Sequence, residues 1–577
     1  MATETVKTVT TTTKTTVTTT RIKQAEKLTW GSGYEGQRIP DLGDGTYRNP
    51  LFPGDHPDPS ILRDDDTDTY YMVHSSFDVY PGLVIYSSHD LVNWRPVGAA
   101  LETWVGSVWA PFLCKHNGRY FIYFPARGNG RPTNYVIYAD AISGPWSAPK
   151  DLSWDVSSNT DSNSNTQEAL PIDPCHIVGE DGKRYLFVAG TYYVQLSDDG
   201  LSLLKDSFKL AVASWPIPLD WVIEGTAPEG PKVAKVGVYF YLNVAQGGTA
   251  GPPTSHMALS YRAKSIHGPW EQSPFNPVIR TTSASEHWWS QGHATLVPVK
   301  ARNAAKADTT DYYVVFHGYE KNYPTLGRQT LLAPIIFTDD GWWKLKTSDA
   351  SIPQPIPLPS TEKLPFNIPY SDDFSTNKFG IQWGFYNSSK SQEAAIRHRY
   401  EADTTTGKTS LVVSGKGTGP ADADPLTFKT GDRAYEVTVK ITLLNPQTAV
   451  AGALLFYNSR LFAGLGFDGH GALILHRYGT DRYLPNHPDG VNAVPNNAAT
   501  ATLYFKLQFD YVPNVLTIWT STNGVEWKQF DNRINVAGYE HNNAYDFLSL
   551  RPGVYAAGSG DVRFENVIYR AFEPHEL

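Results

Sequence analysis

Three acidic residues in this chain share one local setting, next to or one glycine away from a proline. Asp58 lies between two prolines in DHPDPSILRD, Asp173 precedes Pro174 in IDPC, and Glu229 is followed by Gly230 and Pro231 in PEGP. An acid beside a proline is by itself an ordinary turn signal. Three of them at the heads of three strand-rich repeats require more, because repeats set around an axis bring their opening residues to one place. Carboxyl groups crowded together repel one another, and repulsion with partial burial holds at least one protonated near neutral pH. A protonated acid facing an ionised one is the equipment for cleaving a glycosidic bond: one protonates the leaving oxygen and the other activates water. The following prolines are expected to bias these acids towards extended backbone. Phe77, Trp104 and Trp109 offer flat apolar faces for a sugar ring, with ordinary core packing as the alternative use of each.

The elements that must position these acids are read from repetition. Between Tyr47 and Trp343, five segments each open on a small or proline-flanked residue, continue as strand-like runs with Gly, Asn and Asp turns, and close on Trp or Asp-Gly. They open with HPDPSI, VWAPFL, IDPCHI, PEGPKV and QGHATLV, and GPW closes two of them, at Gly144–Trp146 and Gly268–Trp270. Each segment holds roughly fifty to sixty-five residues, enough for about four short strands, and five such sheets close into a propeller. An ordinary sandwich gives no reason for the repeated close. The first strand of each propeller unit lines the central channel, so Asp58, Asp173 and Glu229 face one funnel.

The run SIPQPIPLPSTEKLPFNIP follows, rich in prolines that cannot donate ladder hydrogen bonds, and it reads as a connector. Beyond it, AYEVTVKITLL, AGALLFYNSRLFAGLGFD and TLYFKLQFDYVPNVLTIW alternate apolar and polar residues, the pattern of a two-sheet sandwich. The organisation expected is a Thr-rich tail and lead-in over 1–45, a five-bladed β-propeller over 46–350, a linker over 351–370 and a β-sandwich over 371–577. The sandwich is expected chiefly to bury one face of the propeller, with pocket completion or substrate binding as its second reading.

Composition narrows the partners. With 577 residues, aromatics at 13% and a net charge of -9, the chain is a multi-domain, strand-rich globular protein without the basic footprint of a nucleic-acid binder. No apolar run is long enough for a membrane span. The Thr- and Lys-rich start lacks an apolar leader core, so a cytoplasmic protein is expected, or a secreted one if that start stands in place of a leader. Cys114 and Cys175 are too few for a disulfide framework and agree with a reducing compartment, leaving a reactive thiol as the other use. Oligomeric state is not legible.

At these motifs the sequence resembles glycoside hydrolase family 43. HPDPSI is similar to the family's motif around the general base, IDPC with DGKRYLF to its second acid, and PEGP to its general-acid motif, while VWAP, GHATLV and LGRQT match substrate and channel motifs. The C-terminal part is similar to the concanavalin-like sandwich of β-xylosidase members. The resemblance implies Asp58 as general base, Glu229 as general acid and Asp173 as the group that raises and orients that acid, with inversion at the anomeric carbon. It implies Phe77, Trp109 and Arg328 as substrate-binding residues. His293 matches a channel histidine that in many members sits on calcium or sodium, often through water; the chemistry itself requires no cofactor. Released β-D-xylose or α-L-arabinofuranose, from xylo-oligosaccharides or arabinoxylan, is the implied activity. Two other readings remain beside it: a non-catalytic carbohydrate-binding propeller, and a fructan hydrolase, whose nucleophile stands in an Asn-Asp-Pro-Asn setting rather than His-Pro-Asp-Pro-Ser.

Overall fold

The structure is a computed structural model and describes residues 36–572 apart from 129, 154–170, 214, 216–220, 300–310, 359–367, 387–396, 486, 494–498 and 545. The Thr-rich tail, most of the long lead-in to the third repeat and the middle of the linker lie outside the described residues. The regular structure of the described residues is almost entirely β-strand.

Each of the five repeats is an antiparallel sheet. Blade one comprises Ser60–Asp64, Thr69–Val73, Gly82–Ser88 and Arg95–Leu101. The later blades open with Phe112–His116, Cys175–Val178, Glu229–Val236 and Trp288–Val299. The second strand of blade one, TYYMV, is buried along its whole length, as befits a strand covered on both faces by neighbouring blades. Turn chemistry is local: Asn117 and Gly118, at φ of 49° and 78°, form the two-residue turn joining Phe112–His116 to Arg119–Arg127.

The ring closes through the segment before blade one. The Asn49 side chain donates to the carbonyls of Leu332 and Ala350 at 2.9 Å and accepts from the Leu332 amide at 2.9 Å. Tyr47, Leu51 and Phe52 share an apolar cluster with Val297, Val315 and Leu332 of blade five.

The sandwich consists of two eight-stranded sheets around the largest apolar core of the described residues. Val79–Tyr80, a propeller segment, forms the edge of one of them by pairing with Gly384–Tyr386. A propeller loop is thus annealed onto the sandwich. Asp55 and Arg551, both buried, meet at 2.7 Å across the boundary. Buried Glu320 of blade five accepts from Arg38 of the lead-in at 2.9 Å and from Arg433 of the sandwich.

Candidate active site

Asp58 and Asp173 stand immediately before the first strands of blades one and three, and Glu229 opens that of blade four. The expectation of extended backbone is wrong: Asp58 and Asp173 have φ of 57° and 55°. The proline ring excludes the right-handed helical region, and these residues take the left-handed solution, which Asp tolerates better than most residues. That turn aims the amide of Asp58 at His317 Nδ1, 3.1 Å away. In PEGP the left-handed pre-proline residue is Gly230, at φ 57°, so Gly230 occupies the place of the two aspartates and Glu229 precedes it by one residue. A Cβ on Gly230 would lie 2.7 Å from His293 Nε2, which leaves room only for glycine.

Contacts link the acids into one group. The Gly230 amide donates to Asp173 Oδ2 at 2.9 Å. His293 Nδ1 lies 3.2 Å from Asp58 Oδ1. Arg328 grips Asp58 with both guanidinium nitrogens, at 3.0 Å to Oδ1 and 3.3 Å to Oδ2, and Ser75 donates to Oδ2 at 2.5 Å. His317 Nδ1 can accept from the Asp58 amide or donate to Oδ1, at 3.2 Å, but not both.

The electrostatics separate the three carboxyls. Burial opposes ionisation of Asp58, but Arg328, followed by His293 and His317, more than offsets it and holds the group well below the ordinary carboxylate range. Glu229 has no such partner: burial, then repulsion from Asp173 and Asp58, pushes it up to about 8. Asp173 lies between them, raised to about 6 by burial and by Asp58, with Lys232 pulling the other way. Environment alone thus assigns an ionised and a protonated carboxyl at neutral pH.

The substrate-binding candidates divide. Phe77 is brought under Arg328, whose guanidinium lies 5.8 Å from its ring. Trp109 donates its indole N–H to Ser107 Oγ at 3.2 Å and packs against the apolar core shared with the sandwich. Trp104 instead packs against the core between blades one and two. Several residues of the site were not anticipated: Ser75, His317, Lys232 and, from the sandwich, Phe547. Phe547 stacks on Phe77 at 6.4 Å, lies 5.0 Å from the Arg328 guanidinium and stacks on His541 at 3.9 Å. The sandwich therefore supplies one wall of the funnel. Lys232 follows directly on PEGP, a signal that was available; nothing in the sequence links Phe547 to Phe77. Both cysteines are buried, their thiols pushed up to about 12 and 11, so neither is a reactive thiol.

Asp58, His293 and His317 are also the one group among the described residues whose donor atoms could surround a metal ion. They do not fit a calcium or sodium ion held directly by side chains. Hard cations take mainly oxygen ligands, and the single carboxylate here already serves Arg328 and Ser75. His293 Nε2 has no protein partner.

A five-bladed propeller whose channel mouth gathers three differently ionised acids under a sandwich wall, Asp58 and Asp173 buried and Glu229 half-buried, defines the class of protein. Residues 47–343 match the Glycosyl hydrolases family 43, and the chain belongs to that family. It is 31% identical over 369 residues to the non-reducing end alpha-L-arabinofuranosidase BoGH43B of Bacteroides ovatus, a match covering 60% of this chain and 62% of that protein. It is 30% identical over 328 residues to a xylan 1,3-beta-xylosidase of a Vibrio species, covering 51% and 56%. The chain thus spans about three fifths of the length of these curated relatives. Among solved structures, xylan beta-1,4-xylosidase from Bacillus halodurans C-125 superposes with a TM-score of 0.71 at 24% identity, covering 91% of this chain and 99% of that one. The two-domain fold is shared.

Proposed function

We propose that the protein is an exo-acting, inverting glycoside hydrolase that releases single pentoses, β-D-xylose or α-L-arabinofuranose, from xylo-oligosaccharides or arabinoxylan. The observation that carries this reading is the split between Asp58, ionised under Arg328, and Glu229, protonated up to about pH 8. Glu229 gives its proton to the glycosidic oxygen as the bond from that oxygen to the anomeric carbon breaks. Asp58 takes a proton from a water whose oxygen bonds to the same carbon from the opposite face. Asp173, held by the Gly230 amide, keeps negative charge beside Glu229 and so preserves its proton. After release of the pentose, Asp58 returns its proton to solvent and Glu229 regains one. Exo action is supported by the wall of Phe77 and Phe547 beside Arg328, which suits a chain end more than a continuous chain. The relatives named for arabinofuranosidase and xylosidase activity support the choice of sugar.

The test is hydrolysis of 4-nitrophenyl β-D-xylopyranoside and α-L-arabinofuranoside by the wild type and Glu229→Gln, with the first-formed anomer followed by proton NMR. Turnover with inverted product is expected, and the ratio of the two rates names the sugar. A retained anomer, or a Glu229→Gln rate on xylobiose equal to that of the wild type, overturns the mechanism.

A further inference from the structure

The face of the sandwich sheet that looks away from the two-sheet core carries a second feature. In Ala434–Leu443 and Ala501–Asp510 the odd-numbered residues are buried in the core, so Thr438, Lys440, Tyr504 and Lys506 face outward. The last strand, Asp561–Phe572, slips register against Ala434–Leu443 between Thr438 and Lys440. At the slip Asn566 takes a φ of 51°, and the backbone of Val567 pairs with Asp372 of the incoming chain, with bonds of 2.8 and 2.9 Å in the two directions. A bulge of this kind locally interrupts the ladder and re-aims side chains. Here it opens a groove of about 650 Å³ beside Tyr504 and Trp527, within the usual range for ligand clefts of about 300–1,000 Å³. None of its lining residues lines the carboxyl funnel.

The chemistry of the lining selects a ligand class. Lys440 is paired with Glu565 at 2.8 Å, Lys378 with Asp372 at 3.7 Å, and the Lys506 ammonium sits 4.8 Å over the Trp527 ring and 3.6 Å from Glu436. Each of these cations is thus matched by an anion, Asp373 adds a further carboxylate that accepts from Ser375, and the groove presents hydrogen-bonding groups and aromatic surface. Ile568, at 56% exposed, stands at its side. A phosphate or carboxylate ligand would find its cations already engaged. A neutral chain of pyranose rings, with apolar ring faces and equatorial hydroxyls, matches aromatic surface flanked by paired polar groups.

We propose that this groove is a non-catalytic binding site for the β-linked pyranose backbone of xylan, which rests on the reading of the funnel as a pentose-releasing site. It would keep the enzyme on a polymer whose ends the funnel trims. The experiment is affinity electrophoresis of the full chain through soluble arabinoxylan, in the Glu229→Gln background so that the polymer stays intact, with Trp527→Ala and separately Ile568→Arg added. Retardation by arabinoxylan is expected to weaken at least tenfold in both variants, while the same two substitutions with Glu229 intact leave nitrophenyl-pentoside kcat/KM within twofold. Ile568 is exposed, so its charged replacement fills the groove without touching the core. Retardation unchanged in both, or abolished by free pentose that occupies only the funnel, overturns the proposal. If no pentoside is hydrolysed but groove-dependent retardation persists, the catalytic reading fails and the groove stands.

Discussion

The amide of Gly230 donates to Asp173 Oδ2 at 2.9 Å, one residue from Glu229. This bond ties blade three to blade four and sets a carboxyl that titrates near 6 beside one raised to about 8. The pH profile should follow from it. As the proposed proton donor Glu229 must carry a proton to act, so kcat/KM is expected to fall as pH rises through about 8. Replacing Asp173 with Asn removes repulsion that favours the protonated form, so the basic limb moves to lower pH. Glu229→Gln removes that limb and lowers the rate on xylobiose by about 10²–10⁴-fold, the usual worth of a positioned proton donor. The loss is smaller with a nitrophenolate leaving group, which needs no proton. Plots of log kcat/KM against pH for the three proteins check all of this.

Replacing Glu229 should move stability opposite to activity. Glu229 binds a proton more tightly folded, at about 8, than unfolded, near its ordinary value of 4.5. Between those values the native state holds more protons, so its stability falls as pH rises and the full penalty is present above about 8. The shift corresponds to about 3–5 kcal/mol. Glu229→Gln carries no such penalty and should unfold at a higher temperature than the wild type at pH 8.5, with the difference shrinking towards pH 5. Thermal melts at the two pH values decide it; an equal difference at both sinks the idea.

Arg328 sets the other end of the scale. Its planar fork contacts both oxygens of Asp58, a geometry a lysine cannot reproduce. In Arg328→Lys the Asp58 carboxyl should titrate at higher pH, so the acid limb of kcat/KM rises towards neutrality. The loss relative to the wild type should therefore grow as pH falls, and plots of log kcat/KM against pH for the two proteins check it. An acid limb that stays in place would show that Arg328 serves the substrate alone.

Much of this arrangement was legible because it is repetitive. Five segments headed by a small or proline-flanked residue announced five blades, and two aspartates before prolines with a glutamate at the same strand head announced the funnel. What the sequence hid was conformation and long-range packing. The pre-proline rule disfavours one backbone region without choosing between the others, so it does not separate the left-handed geometry of Asp58 and Asp173 from the extended one. Aromatic residues in a strand-rich chain serve cores and channels alike, and only packing separates Phe77 from Trp104. Phe547 comes from a different domain, 470 positions along the chain, and no local pattern marks it as a neighbour of Phe77.

That contact yields the last prediction. Phe547 is only half-buried yet lies 5.0 Å from the Arg328 guanidinium, so its removal takes away a cation–π contact of about 0.5–2 kcal/mol and one wall of the proposed sugar site. Phe547→Ala should raise KM for nitrophenyl pentosides about tenfold and change the melting temperature little. Asp55→Ala acts on the same boundary by a different route. It leaves Arg551 buried without its partner, which costs about 3–5 kcal/mol and so lowers the melting temperature by several degrees. Because Arg551 lies four residues after Phe547, KM should rise in this variant as well. If Asp55→Ala loses stability while its KM stays at the wild-type value, Phe547 keeps its place without the ion pair, held by the other contacts across the boundary, among them the Val79–Tyr80 pairing and the bond from the Leu550 amide to the Thr325 carbonyl.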